Sequence, residues 1–475
     1  MFLGYMYDVT RGKVPKLEEI FNLIDKLAIL GYSRLELYIE HAFMFEGKET
    51  AWQNSSPLSP SDIQKIDSYA QKKGIELVPN CNTFGHLERF LKHEEFKYLA
   101  ECEPAYYQED AMAYRQGVIA VDEAGLEFVD SLLASYTKYF KSSQLNIGCD
   151  ETFELGKGKN KERCEEIGRG RLYLEGLLKI YKLAKNYSDK IYFWGDIILN
   201  YPELIKELPQ DATVLNWGYE DNHPFAEETK KIADSGLNFV VCPGTSSWNS
   251  IAGRTKNMLG NIISAQVNAE KNGADGILLT DWGDRGHIQY PYLSYAGICA
   301  ASIAFYEGAQ ALTEEKVIAK INEVFFEDKN APWGELMLEL GHLHEVFKVK
   351  RINVTLFNVG LLYEDYPGGL IFMNGITEDE INEASEKLEI IKEKIAKVDD
   401  NSLIAREMKN SLRLVEVAIM RLRQNKNLPF DKKVAYELIT EAIAEHCALW
   451  IQRNRIGGIE ESLGHFEKAR QSFLK

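Results

Sequence analysis

The chain has 475 residues, of which 45% are hydrophobic and 27% are charged. It can therefore bury a large core, and it is too long for one ordinary compact unit, so we expect two domains. The formal net charge of -17 disfavours nucleic acid or an anionic membrane surface as a partner, because both would repel the chain at long range. A neutral small-molecule substrate fits this charge better.

The N-terminus and the cysteines predict a cytoplasmic protein. The start Met1–Tyr5 has no cationic segment, and no run of about 18 apolar residues follows, so neither a signal peptide nor a membrane span is expected. The seven cysteines are odd in number, scattered and without paired CxxC spacing. This usage is typical of reduced thiols that are mostly buried.

Eight short apolar runs alternate with longer helical stretches up to about residue 310. This alternation is the pattern of βα units around a parallel sheet, and eight strands close a (β/α)₈ TIM barrel. In Leu17–Leu30, for example, apolar residues recur at helical spacing and Gly31 follows before the next strand. The predicted strands are Leu3–Tyr7, Arg34–Ile39, Ile75–Pro79, Gln144–Gly148, Ile191–Trp194, Thr213–Asn216, Asn238–Cys242 and Gly276–Thr280.

From about residue 311 the chain changes to long charged helices with few glycines. Apolar residues there recur at alternating spacings of three and four, which predicts a helical bundle. They are Ile381, Ala384, Leu388, Ile391, Ile395 and Val398, and then Met408, Leu412, Val415, Ile419 and Leu422. We therefore predict a catalytic barrel over 1–310 and an α-helical C-terminal domain over 311–475. The helical domain is expected to serve packing or homodimerisation and to contribute no catalytic residue.

Residue types that bind sugars or carry out acid and base chemistry follow every predicted strand. In a TIM barrel such residues meet at one rim, on the loops that leave the C-terminal ends of the strands. Four of the seven tryptophans are among them. In chain order the residues are Asp8 and Arg11, Glu40 and His41, Asn82 and His86, Asp150 and Glu151, Trp194 and Asp196, Trp217 and Tyr219, Trp248 and Asn249, and Trp282 and Asp284.

An acidic rim with several tryptophans suits a sugar, because indole stacks on a pyranose ring while carboxylates bind its hydroxyls. The sequence has no glycine-rich phosphate loop, and His41 and His287 lack the spacing of a metal site, so neither a metal nor another cofactor is expected. Glycoside cleavage needs an acid and a second group that stabilises the oxocarbenium-like centre. We assign the acid to Glu151. Adjacent residues at a strand end point in roughly opposite directions, so Asp150 is expected to play a different part.

The segment Asn146–Glu151 resembles the fourth-strand motif of glycoside hydrolase family 20, in which His or Asn is followed by x-Gly-x-Asp-Glu. Pro79–His86 resembles the family segment after the third strand, and Asp8–Arg11 is similar to the region of its substrate-gripping arginine. The pocket tryptophans and terminal acid of the family are matched by Trp194, Trp217, Trp282 and Asp284. The resemblance covers about residues 3–310. Because the first strand is expected close to Met1, the resemblance is to the short forms that begin directly at the barrel.

The resemblance implies an exo-acting β-N-acetylhexosaminidase, whose substrate is a small oligosaccharide or glycoconjugate with a terminal GlcNAc or GalNAc. The 2-acetamido carbonyl of the sugar would attack the anomeric carbon and form an oxazolinium ion. Asp150 would accept the acetamido N–H, Glu151 would act as acid and then base, and Arg11 would grip the 3- and 4-hydroxyls. The other expected substrate-binding residues are Glu40, His86, Trp194, Trp217, Tyr219, Trp248, Trp282 and Asp284.

Two positions depart from the family pattern. Where the family has an aspartate after the third strand, this chain has Asn82, and we expect Glu40 to take over the support of Glu151. The family tyrosine that orients the acetamido carbonyl is missing from the seventh loop, Gly244–Asn249. Tyr219, after the sixth strand, is the expected substitute.

Two other functions stay open at this point. The first is a barrel glycosidase with a true carboxylate nucleophile, in which Glu151 is the acid and Asp284 the nucleophile. The second is a non-catalytic sugar-binding protein on the same scaffold. The intact pair of Asp150 and Glu151 argues against the second function.

Overall fold

The computed structural model describes residues 1–102, 117–366, 369–398 and 401–474. Within these ranges, eight parallel strands pair in chain order and the last pairs with the first, so that the sheet closes into a barrel. This confirms the predicted (β/α)₈ barrel. The strands are β1 (Phe2–Asp8), β2 (Arg34–Ile39), β3 (Glu76–Cys81), β4 (Gln144–Asn146), β5 (Lys190–Trp194), β6 (Ala212–Trp217), β7 (Asn238–Cys242) and β8 (Gly276–Asp281).

Helices alternate with the strands and then continue beyond them, except that β5 and β6 are connected only by the short 3₁₀-helices Ile198–Asn200 and Pro202–Glu207. Those of the barrel region are α1 (Leu17–Ile29), α2 (Glu49–Trp52), α3 (Pro60–Lys72), α4 (Glu88–Leu91), α5 (Glu123–Tyr136), α6 (Lys161–Ile167), α7 (Arg169–Ala184), α8 (Phe225–Asp234), α9 (Thr255–Asn272) and α10 (Tyr292–Glu307). The later ones are α11 (Glu314–Phe325), α12 (Trp333–His342), α13 (Leu356–Leu362), α14 (Glu378–Lys397), α15 (Leu403–Asn425), α16 (Lys432–Arg453) and α17 (Ile459–Ser472).

The helices and the cysteines bear on two expectations from the sequence, which concern membrane spans and disulfide bonds. In the described ranges, none of the helices combines the length and the apolar character that a membrane crossing requires. The seven cysteines, all of which lie in those ranges, are free thiols, and most of them are buried.

Alternation along the strands sorts the side chains between the barrel interior and the surrounding helices. On β1, Tyr5 and Tyr7 pack into the main core, whereas Met6 belongs to a separate cluster inside the barrel. The buried members of this interior cluster are Met6, Tyr38, Tyr192, Trp194, Leu215, Tyr219, Val240, Cys242, Trp248, Leu278 and Trp282. The barrel is therefore a filled core whose aromatic side chains continue up to the rim where β5, β6 and β8 end.

A buried polar network connects β2, β3 and β4. Glu36 is fully buried and pairs with Arg34 at 2.6 Å. Its other carboxylate oxygen accepts from the side-chain amides of Asn80 and Asn146, each at 2.9 Å. The amide oxygen of Asn146 in turn accepts the backbone N–H of Gly148 at 3.0 Å. The asparagine of the fourth-strand motif thus anchors β4 and starts the turn that follows it.

The helical region is tied to helix α1 near the start of the chain. Arg453, at the end of α16, pairs with Glu19 of α1 and with Glu407 of α15, each at 2.6 Å.

The apolar repeats predicted on α14 and α15 are buried apart from Val398, which is partly buried, and this confirms their helical spacing. The domain boundary at residue 310, between α10 and α11, stays a prediction.

Candidate active site

A turn with unusual backbone angles follows β4 and carries the chain to Asp150 and Glu151. The φ angles of Gly148, Cys149 and Glu151 are 69°, 71° and 47°. Side chains other than glycine adopt such angles at a cost, and this cost is typically kept at functional sites. A Cβ atom at Gly148 would lie 2.4 Å from the side-chain oxygen of Asn82, so glycine is required there for space as well.

Neighbouring elements hold this turn in place. The hydroxyl of Thr83 donates to the carbonyl of Ile147 at 2.6 Å, and the hydroxyl of Tyr173 donates to the carbonyl of Cys149 at 2.9 Å. These bonds give partners to backbone groups that have left the sheet and are buried. The loop after β3 and helix α7 therefore fix the turn from two directions.

Asp150 and Glu151 approach the same histidine. His86 Nε2 lies 3.2 Å from Asp150 Oδ2 and 3.4 Å from Glu151 Oε2. The expectation that the two acids point in opposite directions is therefore wrong. It assumed strand geometry, whereas β4 ends at Asn146 and the positive φ of Glu151 redirects its side chain. The two acids differ instead in exposure, since the side chain of Asp150 is 7% exposed and that of Glu151 is 39% exposed.

His86 lies after β3 and is a charged centre of the site. Burial disfavours its imidazolium form, but Asp150 and Glu151 outweigh burial and hold the pKa of His86 well above its ordinary value. Its Nδ1 atom lies 3.9 Å from Oε1 of Glu40. The two acids therefore favour the charged form of the histidine, which offsets part of their negative charge.

Asp196, after β5, braces the turn from the opposite side. Its Oδ2 accepts the backbone N–H of Glu151 at 3.0 Å. Burial, and then repulsion from Asp150, raise the pKa of Asp196 well above its ordinary value. Asp196 does not belong to the described residues that line the pocket, so its contact is with Glu151 and not with a ligand.

Arg11, in the loop after β1, is held by three carboxylates. Its guanidinium lies 3.0 Å from Glu40, 3.6 Å from Asp284 and 3.8 Å from Asp8. Burial opposes the charge, but Glu40 and the other acids outweigh burial and keep the pKa of Arg11 well above its ordinary value. Arg11 thus presents a fixed planar cation to the pocket that it lines.

Glu40 lies behind Arg11 and not in the pocket, contrary to the predicted contact with substrate. Its side chain is fully buried and pairs with Arg11, which removes it from the lining of the pocket. The hydroxyl of Tyr38 donates to Glu40 at 3.2 Å and accepts from the side-chain amide of Asn82 at 2.8 Å. Burial raises the pKa of Glu40 to about 7 although Arg11 opposes this shift. Asn82 and Glu40 therefore support the site as parts of one hydrogen-bonded chain.

Aromatic side chains wall a small pocket of about 120 Å³. Tyr219 is central among them, because its ring stacks on Trp217 and meets Trp248 edge-on, with ring centres 5.0 Å apart in both pairs. The hydroxyl of Tyr219 accepts the indole N–H of Trp282 at 2.8 Å. The aromatic walls among the described residues are Trp194, Trp217, Tyr219, Trp248 and Trp282.

The pocket brings together every predicted site residue except Glu40, and it adds one that the sequence did not indicate. This residue is Asn353, in a turn between α12 and α13 of the helical region. The predicted site residues all lie at the end of one of the eight strands or in the loop that directly follows it. Asn353 follows helix α12 instead, so the pattern of strands and loops did not point to it. The remaining members of the described lining are Arg11, His86, Asp150, Glu151 and Asp284.

A wider space of about 460 Å³ opens outward from the pocket and shares Arg11, His86, Glu151 and Asp284 with it. Barrel loops and helix α17 line it together. Arg89 of α4 forms a two-pronged pair with Glu461 of α17 at 2.5 and 2.7 Å. The helical region thus contributes to the entrance of the pocket.

One group of described residues brings three possible metal ligands together. Single ligand atoms of Glu40, His86 and Glu88 lie within 4.8 Å of one another. Metal ligands must be deprotonated, whereas His86 is held in its charged form and Glu40 already pairs with Arg11 at 3.0 Å. In this arrangement the group is a poor metal site.

The fold and the site define a class of protein. A parallel barrel, with an acidic pocket walled by tryptophans at the C-terminal ends of its strands and with one buried and one accessible carboxyl group, is the architecture of a barrel glycoside hydrolase. The model of the glycosyl hydrolase family 20 catalytic domain matches residues 1–257. The chain belongs to glycosyl hydrolase family 20.

The chain is also similar to curated hexosaminidases. Hexosaminidase D from Bos taurus is 26% identical over 296 residues, which span 58% of this chain and 83% of that protein. Hexosaminidase D from Homo sapiens is 26% identical over 222 residues, 44% of this chain and 43% of that protein. Beta-hexosaminidase subunit beta from Felis catus is 21% identical over 273 residues, 52% of this chain and 48% of that protein. The chain thus spans less than half the length of the human and feline relatives.

Solved structures show the same fold. The chitobiase of Flavobacterium johnsoniae superposes with a TM-score of 0.55 at 12% identity, over 100% of this chain and 78% of that one. The β-N-acetylhexosaminidase of Bacteroides fragilis gives a TM-score of 0.51 at 15% identity, over 69% of this chain and 71% of that one. At these identities the likeness concerns the fold alone.

Proposed function

We propose that this protein is an exo-acting β-N-acetylhexosaminidase, which removes a terminal β-linked GlcNAc or GalNAc by a retaining, substrate-assisted mechanism. The observation that carries the proposal is the unequal placement of Asp150 and Glu151 around His86, with 7% and 39% of their side chains exposed. A buried carboxylate suits the 2-substituent of a bound sugar. An accessible one suits the departing oxygen and the attacking water, which both come from the open side.

Asp150 has the free atom that this role requires. Its Oδ2 faces His86, whereas its Oδ1 is buried without a hydrogen-bond partner among the described residues. A buried acceptor without a partner is costly, and the acetamido N–H of a bound sugar would supply the missing donor. The charged form of Asp150 then stabilises the positive charge that develops on the acetamide.

The reaction has two steps in this proposal. The acetamido carbonyl oxygen bonds to the anomeric carbon while the bond to the leaving oxygen breaks, and Glu151 transfers its proton to that oxygen. The resulting oxazolinium ion is stabilised by Asp150. Glu151 then accepts a proton from a water, whose oxygen bonds to the anomeric carbon as the bond to the carbonyl oxygen breaks. Two inversions at one carbon leave the product in the β configuration.

Tyr219 fits the task of orienting the acetamido carbonyl. Because the indole of Trp282 donates to the hydroxyl oxygen of Tyr219, the hydroxyl hydrogen can still point to a carbonyl in the pocket. Arg11 and Asp284, which lie 3.6 Å apart, would bind the outer hydroxyls. The space beyond Glu151 would receive the rest of the glycoside.

The test uses a thiazoline mimic of the oxazolinium ion together with nitrophenyl β-glycosides of GlcNAc, GalNAc and glucose. We expect competitive inhibition by the thiazoline, and a loss of turnover of about 10³-fold in both Asp150→Asn and Glu151→Gln, since each removes transition-state stabilisation. Glu162→Gln, on the exposed surface of α6, is the matched control.

Two results would replace this function with an alternative. Turnover of the glucoside without inhibition by the thiazoline would indicate a carboxylate nucleophile, with Asp284 in that role. Sugar binding together with no loss of turnover in Glu151→Gln would indicate a non-catalytic sugar-binding protein.

The cytoplasmic location and a homodimer through the C-terminal helices also stay proposals. Ile390 of α14 and Ile451 of α16 are about half exposed, and they are apolar positions that such a contact could cover. Light scattering of the purified chain measures the assembly state. A monomer at all concentrations would contradict the homodimer.

A further inference from the structure

Asn353 enters the pocket from the helical region, which lies outside the matched family domain. It lies in a turn closed by a bridge between Arg351 and Val354, and its φ of 57° is in the left-handed region that asparagine tolerates better than most residues. Its side-chain oxygen is buried and has no hydrogen-bond partner among the described residues. The residue therefore combines a fixed backbone with an unsatisfied amide oxygen beside the pocket that it lines.

The turn of Asn353 is fastened to the barrel on both sides. The backbone N–H of Asn353 donates to Oε1 of Glu220 at 2.7 Å, and Arg254 binds the other carboxylate oxygen of Glu220. Two residues later, the backbone N–H of Thr355 donates to the carbonyl of Asn249 at 3.0 Å. The loops after β6 and β7 thus set the position of Asn353 relative to the pocket.

Through Asn249, these contacts link the turn of Asn353 to Asp284, which lines the same pocket. Asn249, which binds the backbone of Thr355, also donates its side-chain amide to Oδ2 of Asp284 at 2.7 Å. In the proposed function, on which this inference rests, Asp284 and Arg11 bind the outer hydroxyls of the sugar. Arg11 can only donate and Asp284 can only accept, whereas an amide does both.

We propose that Asn353 hydrogen-bonds an outer hydroxyl of the bound sugar and determines how strongly the enzyme discriminates between GlcNAc and GalNAc. The two sugars differ in the direction of the 4-hydroxyl. A rigidly held amide can meet one of these directions better than the other, and a site built to bond a hydroxyl discriminates strongly when that bond is lost.

The test compares Asn353→Gly with the wild type on the nitrophenyl glycosides of both sugars. Glycine adopts positive φ freely, so this variant removes the amide and keeps the turn. Asn427→Gly is the matched control, because Asn427 has the same φ of 57° in an exposed turn after α15. We expect Asn353→Gly to raise KM and to change the ratio of kcat/KM for the two epimers by about tenfold, whereas the control keeps the ratio of the wild type.

Calorimetric binding of free GlcNAc and GalNAc provides a readout that does not depend on turnover. If the wild type binds both sugars and hydrolyses neither glycoside, the proposed function fails. The ratio of the affinities for GlcNAc and GalNAc, compared between the wild type and Asn353→Gly, still tests the role of Asn353. The inference is overturned if the ratio of kcat/KM for the two epimers in Asn353→Gly stays within about twofold of the wild-type ratio. This holds even if the variant binds both sugars equally more weakly.

Discussion

The backbone N–H of Glu151 donates to the Oδ2 atom of Asp196 at 3.0 Å. This bond joins the turn after β4 to the loop after β5, and it holds Glu151 at a φ of 47° that the residue would not adopt by itself. An acid that protonates a leaving oxygen must be placed within a fraction of an ångström. In the proposed function, Asp196 is therefore a positioning residue whose effect on the reaction passes through Glu151.

Asp196→Ala should lower kcat by about 10²-fold with little change in KM, because it releases the turn and not the sugar. Asp196→Asn should lower kcat much less. Its amide oxygen can still accept from Glu151, and burial already favours the uncharged form of Asp196. Steady-state kinetics of both variants give the comparison, and equal losses in the two would contradict the positioning role.

If Tyr219 orients the acetamido carbonyl as proposed, Tyr219→Phe should lower kcat for nitrophenyl GlcNAc by about 10²-fold, since the variant loses that donor and keeps the stacked ring. Because the variant also leaves the buried indole N–H of Trp282 without its acceptor, its thermal midpoint should fall slightly below that of the wild type. Tyr98→Phe, at a position that is 60% exposed, is the control. Full activity in Tyr219→Phe would mean that another group orients the carbonyl.

The charge of His86 should appear in the pH dependence of stability. The pKa of His86 is raised in the folded state. Its contribution to folding stability is therefore fully present below its unfolded pKa of about 6.5, and is lost as pH rises through its higher folded pKa. The stability advantage of the wild type over His86→Gln should therefore shrink as pH rises above neutrality. Urea unfolding of both proteins at several pH values measures this difference, and an advantage that grows with pH would refute it.

Gly85→Ala should damage the site without touching a carboxylate. A Cβ atom at Gly85 would lie 2.4 Å from the backbone carbonyl of Asp150, so the turn must shift. We expect a loss of stability of about 1–3 kcal/mol together with a large fall in kcat. Gly464→Ala in α17 should keep its activity and gain stability, because no atom of the described residues lies within 4 Å of the added Cβ. Calorimetry and kinetics on both variants check this, and wild-type behaviour of Gly85→Ala would show that the turn can relax.

The sequence alone determined the number and the approximate positions of the eight strands, the helical character of the later region and the set of rim residues. Alternation, helical spacing and glycine punctuation are local properties of the chain, so they can be read without the fold. The order of β1 to β8 then placed Arg11, His86, Asp150 and Trp282 at one rim, because parallel strands end on the same side.

Only the tertiary structure decided how these residues face one another. The left-handed φ of Glu151 brings it to the same histidine as Asp150, and burial against Arg11 withdraws Glu40 from the pocket. Asn353 reaches the pocket because distant loops bind its turn. Such contacts depend on closure of the barrel and on docking of the helical region. The local pattern of residues does not carry this information, since the partners lie far apart in the chain.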